Sequence, residues 1–236
     1  MDEKRSKLMV VEAGALARAA AEWVLKQIDM AAKSRGVCSV ALAGGSTPRA
    51  LYEALGNSDL ADRLPWEQVD WYFGDERAVP MDHPESNYKL VLDTLFRSHL
   101  EGVGRTYRMP ADAPDPEAAA DHYGRRFPET VDILLLGMGT DGHTASLFPG
   151  SPALDVRDRR VVATEGPKPP HRRMTITPPV IENARSVVVL AAGIEKAAMV
   201  ARALGGPLDV KAVPVQLARH GTWFVDSAAA GQMLNP

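Results

Sequence analysis

Short apolar runs that stop at glycine and give way at once to polar residues recur along this chain, and that pattern constrains the fold more than any other. Residues 37–43 lead into Gly44-Gly45-Ser46-Thr47, and Val69–Phe73 into Gly74-Asp75-Glu76-Arg77. Residues 131–136 lead into Gly137-Met138-Gly139-Thr140-Asp141-Gly142-His143, and Ser186–Ala191 approach Gly193-Ile194-Glu195-Lys196. Apolar, β-rich runs without alternation read as strands covered on both faces. Between them lie helical periodicities. Residues 11–32 place Val11, Ala15, Leu16, Ala19, Trp23 and Ile28 near helical spacing. Ser46-Thr47-Pro48 opens a helix over 49–55, with proline in the first turn where its missing N–H costs nothing. Further helices are expected over 87–100, 117–126 and 195–204, and further strands over 173–177, 213–217 and 222–225, before an Ala-rich tail. Proline-rich stretches at 109–116, 149–152 and 166–170 read as loops. This alternation predicts an α/β fold: one domain, residues 1–236, with a mostly parallel sheet and helices on both faces. In such sheets the ligand crevice lies beyond the carboxyl ends of the strands, so the polar residues after the glycines are expected to converge at one edge.

Composition narrows the ligand classes. The 236 residues carry a net charge of −3, with 24% charged and 45% hydrophobic residues. No basic field for nucleic acid exists, so a bound anion must be held by a local cluster. Cys38 is the only cysteine, which rules out an intrachain disulfide and a thiolate metal site and suits a buried thiol. Residues 1–10 lack the apolar core of a signal peptide and no stretch is long enough to span a bilayer, so the expected compartment is the cytoplasm.

Two loops carry the chemistry. At Gly44-Gly45-Ser46-Thr47 the glycines let backbone approach an anion, the helix offers unpaired N–H groups, and two hydroxyls add donors. A plain helix N-cap explains the same residues. Neither P-loop nor dinucleotide spacing is present. His143, at the end of a buried strand, has an imidazole suited to taking a proton from water near neutrality, with Asp141 placed to orient it. No H-E-x-x-H, close histidine pair or G-x-S-x-G elbow occurs, so no metal is expected and water is the expected nucleophile. Arg77, Arg172, Arg173 and Lys196 are the cations near these loops. At least two of these four are expected only to solvate the surface, and Asp75-Glu76-Arg77 also suits a loop ion pair.

Read together, the loops resemble the 6-phosphogluconolactonase family. The matching segments are Leu42-Ala43-Gly44-Gly45-Ser46-Thr47-Pro48, Trp71-Tyr72-Phe73-Gly74-Asp75-Glu76-Arg77, Ser86-Asn87-Tyr88, and the stretch from Leu136 through His143-Thr144-Ala145-Ser146-Leu147-Phe148-Pro149. Lys168-Pro169-Pro170, Arg172-Arg173-Met174-Thr175 and Trp223-Phe224-Val225-Asp226 complete the set, in order over nearly the whole chain. Ala43 is a small departure, where serine is frequent. The resemblance implies a modified Rossmann-like fold related to glucosamine-6-phosphate deaminase, ribose-5-phosphate isomerase and the CoA transferases. It implies hydrolysis of 6-phospho-D-glucono-1,5-lactone to 6-phosphogluconate in the oxidative pentose phosphate pathway, without a cofactor. His143 is then the expected general base, with Asp141 and Asp75 at the reacting end and oxyanion donors among the amides of residues 137–142. Gly44, Gly45, Ser46, Thr47, Arg77 and Arg173 are expected at the phosphate, with Asn87, Arg172 and Lys196 as further contacts. The only partner expected is the sugar-phosphate lactone, with the chain a monomer or weak homodimer that binds neither nucleic acid nor membrane. Two other functions fit part of the pattern. A deaminase-isomerase carries a carboxylate five residues after the histidine, where this chain has Phe148; a non-catalytic sugar-phosphate sensor would have no use for the His143–Asp141 pair.

Overall fold

The computed structural model describes residues 7–56, 59–99 and 102–234, without the side chains of 232 and 234. The helix expected over 87–100 is shorter, ending at Asp93 with turns over 94–99; residue 100, the first six and the last two residues of the chain lie outside the described residues. The chain builds a six-stranded sheet from β1 (Lys7–Val11), β2 (Cys38–Leu42), β3 (Val69–Phe73), β5 (Ile133–Gly137), β8 (Ser186–Ala191) and β9 (Thr222–Asp226). Their order is β1-β9-β8-β5-β2-β3, and every neighbouring pair is parallel. A smaller antiparallel sheet, β4-β7-β6, consists of β4 (Asp75–Arg77), β7 (Arg172–Ile176) and β6 (Val161–Glu165).

Parallel strands need crossovers, which the helices supply. They are α1 (Leu16–Arg35), α2 (Ser46–Gly56), α3 (Asn87–Asp93), α4 (Pro116–Arg126), α5 (Pro178–Asn183), α6 (Ala197–Gly205) and α7 (Ser227–Leu234). Helix α1 buries the stripe Leu16, Ala20, Ala21, Val24, Leu25, Ile28, Ala31 and Ala32, and stops at Gly36, whose left-handed φ of 79° lets its N–H reach the Ala32 carbonyl. Asp115 caps α4 by accepting from the Ala118 N–H at 3.0 Å, with Pro116 in the first turn. The step β2–α2–β3 moves outward in one direction and β8–α6–β9 in the other. Right-handed crossovers then place α2 and α6 on opposite faces of the sheet. The central strands are accordingly apolar throughout: Val40, Ala41, Leu42, Leu134, Val188 and Val189 are all fully buried. Cys38 is buried as expected, its thiol pushed up to about 12 by burial first and by Asp132 second.

The direction of winding reverses between β2 and β5, which are adjacent. That is the topological switch point, where a crevice opens beyond the strand ends. The loops after β2 and β5 both flank it.

Several local expectations are corrected. Residues 213–217 do not form a strand; Pro214–Ala218 is a 3-10 turn, held as Gln216 Oε1 accepts from the Asp209 N–H at 2.7 Å and its amide donates to the Pro207 carbonyl at 2.8 Å. Lys7–Val11 is a strand that precedes the first helix, which begins only at Leu16. Asp75–Arg77 is a strand made by pairing with β7, not loop, and Val161–Glu165, for which no element is expected from the sequence, is the strand on the other side of β7. Among the described residues no helix is long and apolar enough to cross a membrane.

Candidate active site

A cleft of about 280 Å³ lies at this switch point, lined by Gly44, Gly45, Ser46, Thr47, Asp75, Arg77, Asn87, His143, Arg173 and Lys196 among others. Ten residues expected from the sequence thus meet in one place. Two do not line it. Arg172 is exposed, because alternate residues on β7 face opposite sides and Arg173 takes the inward position. Asp141 stands behind His143 rather than in the cleft.

The floor comes from β2. Tyr52 on α2 is fully buried, and its hydroxyl both donates to the Ala43 carbonyl and accepts from the Ala43 N–H, at 2.8 Å each. This fixes the backbone just before Gly44. A Cβ at Gly44 would lie 1.9 Å from Asn87 Oδ1, and Gly45 has a φ of +105°. Glycine is therefore required at both positions, for close approach at the first and for conformation at the second. Beyond them the first turn of α2 presents N–H groups that the helix itself leaves unpaired, the arrangement that receives a phosphate.

Two guanidinium groups face the same space. Arg77 on β4 and Arg173 on β7 are paired across the antiparallel ladder, which puts like charges side by side. Among the described residues neither forms an ion pair with a carboxylate. Arg77 donates to the Glu85 carbonyl, Arg173 reaches the Lys168 carbonyl at 3.5 Å, and the Nε of each is buried with no partner among the described residues. Burial first, and the charge of Arg77 second, hold the Arg173 guanidinium below its ordinary value. Its plane also lies over Phe148, 5.5 Å from the ring centroid. Juxtaposed cations with unspent donors are what a dianion would complete.

The acidic residue next to Arg77 on β4 is not part of a loop ion pair. Glu76 is 1% exposed and accepts from the N–H groups of Arg77, Asn87 and Tyr88 at 2.8, 2.7 and 2.8 Å, and from the Ser86 hydroxyl at 3.0 Å. Burial raises its carboxyl, against the pull of these donors. Its work is to hold the N-terminus of α3, and with it Asn87, against β4.

The histidine loop is folded around one pair. His143 Nδ1 lies 2.6 Å from Asp141 Oδ1, and the His143 N–H reaches the same oxygen at 3.2 Å. Burial raises the Asp141 carboxyl, but the charge and hydrogen bonds of His143 outweigh it, and the net direction is down. The contact favours a proton on Nδ1, facing Asp141, which turns Nε2 away from the carboxylate. A Cβ on Gly139 would lie 2.1 Å from His143 Nδ1 and 2.4 Å from Asp141 Oδ1, so only glycine leaves room for the pair. Two amides expected to serve an oxyanion are spent inside the loop: Gly139 N–H donates to the His143 carbonyl at 2.9 Å and Gly142 N–H to the Gly139 carbonyl at 3.1 Å. Ala145, which also lines the cleft, is held at a φ of 48°, a left-handed conformation costing roughly 1–2 kcal/mol for a residue with a Cβ.

Sequence reasoning missed Ser146, Thr175, Glu76 and Glu195. Glu195 lines the cleft beside Lys196, and its place two residues after Gly193 was a usable signal. Ser146 and Thr175 carry no local signal, since their partners are distant in the chain.

Residues 12–225 match the family described as glucosamine-6-phosphate isomerases/6-phosphogluconolactonase. The chain is 40% identical to a 6-phosphogluconolactonase of Streptomyces coelicolor, over 92% of this chain and 90% of the relative. It is 38% identical to one of Synechocystis, over 90% and 91%. The 6-phosphogluconolactonase of Trypanosoma brucei superposes with a TM-score of 0.83 at 28% identity, over 97% of this chain and 99% of that one. A monomeric glucosamine-6-phosphate deaminase shares the fold, with a TM-score of 0.80 at 22% identity over 95% and 99%. The unbroken order of the matched loops and these likenesses over the full fold place the chain in the glucosamine-6-phosphate isomerase/6-phosphogluconolactonase family, on its 6-phosphogluconolactonase side.

Proposed function

We propose that this chain hydrolyses 6-phospho-D-glucono-1,5-lactone to 6-phospho-D-gluconate, the lactone-opening step of the oxidative pentose phosphate pathway, with His143 as general base. One observation carries the reading: an oriented imidazole and two guanidinium groups that lack carboxylate partners among the described residues share a single cleft. The relatives named 6-phosphogluconolactonase support the choice of substrate.

The phosphate is held by Arg77, Arg173 and the first turn of α2, with Lys196 beside them. The lactone carbonyl then lies toward His143. Nε2 takes a proton from water as the water oxygen bonds to C1, giving a tetrahedral oxyanion and an imidazolium that Asp141 stabilises. On collapse the bond from C1 to the ring oxygen breaks, and the imidazolium returns its proton to that oxygen. The acid formed ionises to solvent. General-base assistance of this kind contributes roughly 10²–10⁴-fold. A deaminase-isomerase needs a second acid near the histidine. Here that position is Phe148, a buried ring whose centroid is 4.6 Å from that of His143, which supports hydrolysis instead.

The test is a coupled assay with freshly prepared 6-phosphogluconolactone, corrected for spontaneous opening, run beside the unphosphorylated lactone. Strong preference for the phosphorylated substrate is expected. Ammonia release from glucosamine 6-phosphate, or equal rates on both lactones, would overturn the assignment.

A further inference from the structure

The histidine loop is fastened at two ends in different ways. Its first half is tied to the end of β5 and to the turn at 214–218: Thr144 Oγ1 donates to the Gly137 carbonyl at 2.9 Å, and the Val215 N–H donates to the Gly142 carbonyl at 2.9 Å. Its second half belongs to the small sheet. Ser146 is fully buried, its hydroxyl donates to Asp75 Oδ2 at 2.7 Å, and its N–H donates to Thr175 Oγ1 at 3.2 Å. Asp75 and Thr175 are direct partners across β4 and β7, two residues from the pair Arg77 and Arg173. The other oxygen of Asp75 is also taken. Asn87 Nδ2 donates to Asp75 Oδ1 at 3.0 Å and to the Asp75 carbonyl at 2.9 Å. Between the two fastenings sits Ala145 in its left-handed conformation.

We infer that Ser146 and Asp75 are positioning residues: their buried hydrogen bond sets the register between the loop that carries His143 and the strands that carry Arg77 and Arg173. Each oxygen of Asp75 already accepts a donor from inside the protein, which suits a strut rather than a group that exchanges protons with substrate. Ser146 is the contact through which the reaction centre feels the phosphate clamp. A rigid coupling of this kind matters because a reacting carbonyl held by its distant phosphate meets the base only if the separation of clamp and base is fixed. A misplacement of about 1 Å costs on the order of 10²-fold in rate. The inference rests on the lactonase reading and adds to it which bond transmits the binding energy of the phosphate to the chemistry.

The experiment compares wild type, Ser146→Ala and Asp75→Asn on 6-phosphogluconolactone and on the unphosphorylated lactone, with kcat and KM separated and kcat followed against pH. Ser146→Ala is expected to lower kcat on the phosphorylated lactone by about 10-fold or more with KM within about 3-fold, and to lower the rate on the unphosphorylated lactone distinctly less. Asp75→Asn keeps the shape of the strut, since its amide can donate to the Ser146 hydroxyl. It is expected to lose several-fold in kcat, less than Ser146→Ala, with both variants keeping the limbs of the wild-type pH profile. Should Ser146→Ala fail to fold by circular dichroism, Ser146→Cys, near-isosteric with a weaker donor, carries the same comparison. Equal losses on the two lactones, an unchanged kcat in the serine variant, or an Asp75→Asn loss as deep as that of His143→Ala would each overturn the inference. Failure of the lactonase reading itself is seen separately, as a wild-type enzyme without preference for the phosphorylated lactone.

Discussion

His143 concentrates the proposed chemistry in one imidazole. His143→Ala is therefore expected to lower kcat by on the order of 10²-fold or more while KM stays close to wild type, as read from initial rates. A second consequence concerns acid stability. The Asp141 carboxyl lies below its ordinary 3.8 because the pull of His143 exceeds the effect of burial. A carboxyl lowered on folding stabilises the native state above the unfolded value, and that contribution fades as pH falls from there through the folded value. The difference in melting temperature between wild type and Asp141→Asn is thus expected to start shrinking as the pH drops below about 4 and to go on shrinking at lower pH, in a thermal-melt series across pH. This pair was legible in the sequence because its members are two residues apart in one glycine-rich turn. Ser146 was not, because its partner Asp75 is 71 positions away, and nothing about a serine in a loop tells which strand it will meet.

At the scale of elements, β4 and β7 carry the proposed phosphate clamp and α3 packs against β4 through Glu76. Removing either guanidinium, as Arg77→Ala or Arg173→Ala, is expected to raise KM for the phosphorylated lactone by about 10–100-fold with a smaller change in kcat, the range given by losing a charge-assisted hydrogen bond. An unchanged KM in both would place the phosphate elsewhere. Glu76→Gln puts an amide where a carboxylate now receives four donors, leaving buried N–H or O–H groups unpaired at about 1–3 kcal/mol. For a chain of this size the expected fall in Tm is about 2–12 °C, measurable by differential scanning calorimetry. Long buried strands were readable from their apolar runs. The short strand at Asp75–Arg77 was not, since three charged residues become a strand only when β7 supplies the ladder. The apolar stretch around Pro214 misled for the opposite reason. Its composition suits a strand, but proline withholds a donor and Gln216 closes the turn instead.

For the whole molecule, a ligand bound across the crevice links α2, the small sheet and the histidine loop, so binding and folding stability are coupled. Product 6-phosphogluconate at about 100 times its Kd adds roughly 2.7 kcal/mol, hence a rise in Tm of about 5–10 °C. Arg77→Ala/Arg173→Ala should abolish that rise in thermal-shift measurements; a full rise in the double variant would remove the arginines from the site. The sequence by itself determined the parallel α/β architecture, the glycines that open each loop and the Asp141–His143 pair, because these depend on periodicity, on backbone conformation and on neighbours a few residues apart. Tertiary structure alone decided that Arg173 rather than Arg172 faces the cleft, that Glu76 braces a helix, and that Ser146 meets Asp75. Those outcomes are set by strand pairing and by the reversal of winding between β2 and β5, and pairing between distant segments leaves no mark in either segment taken alone.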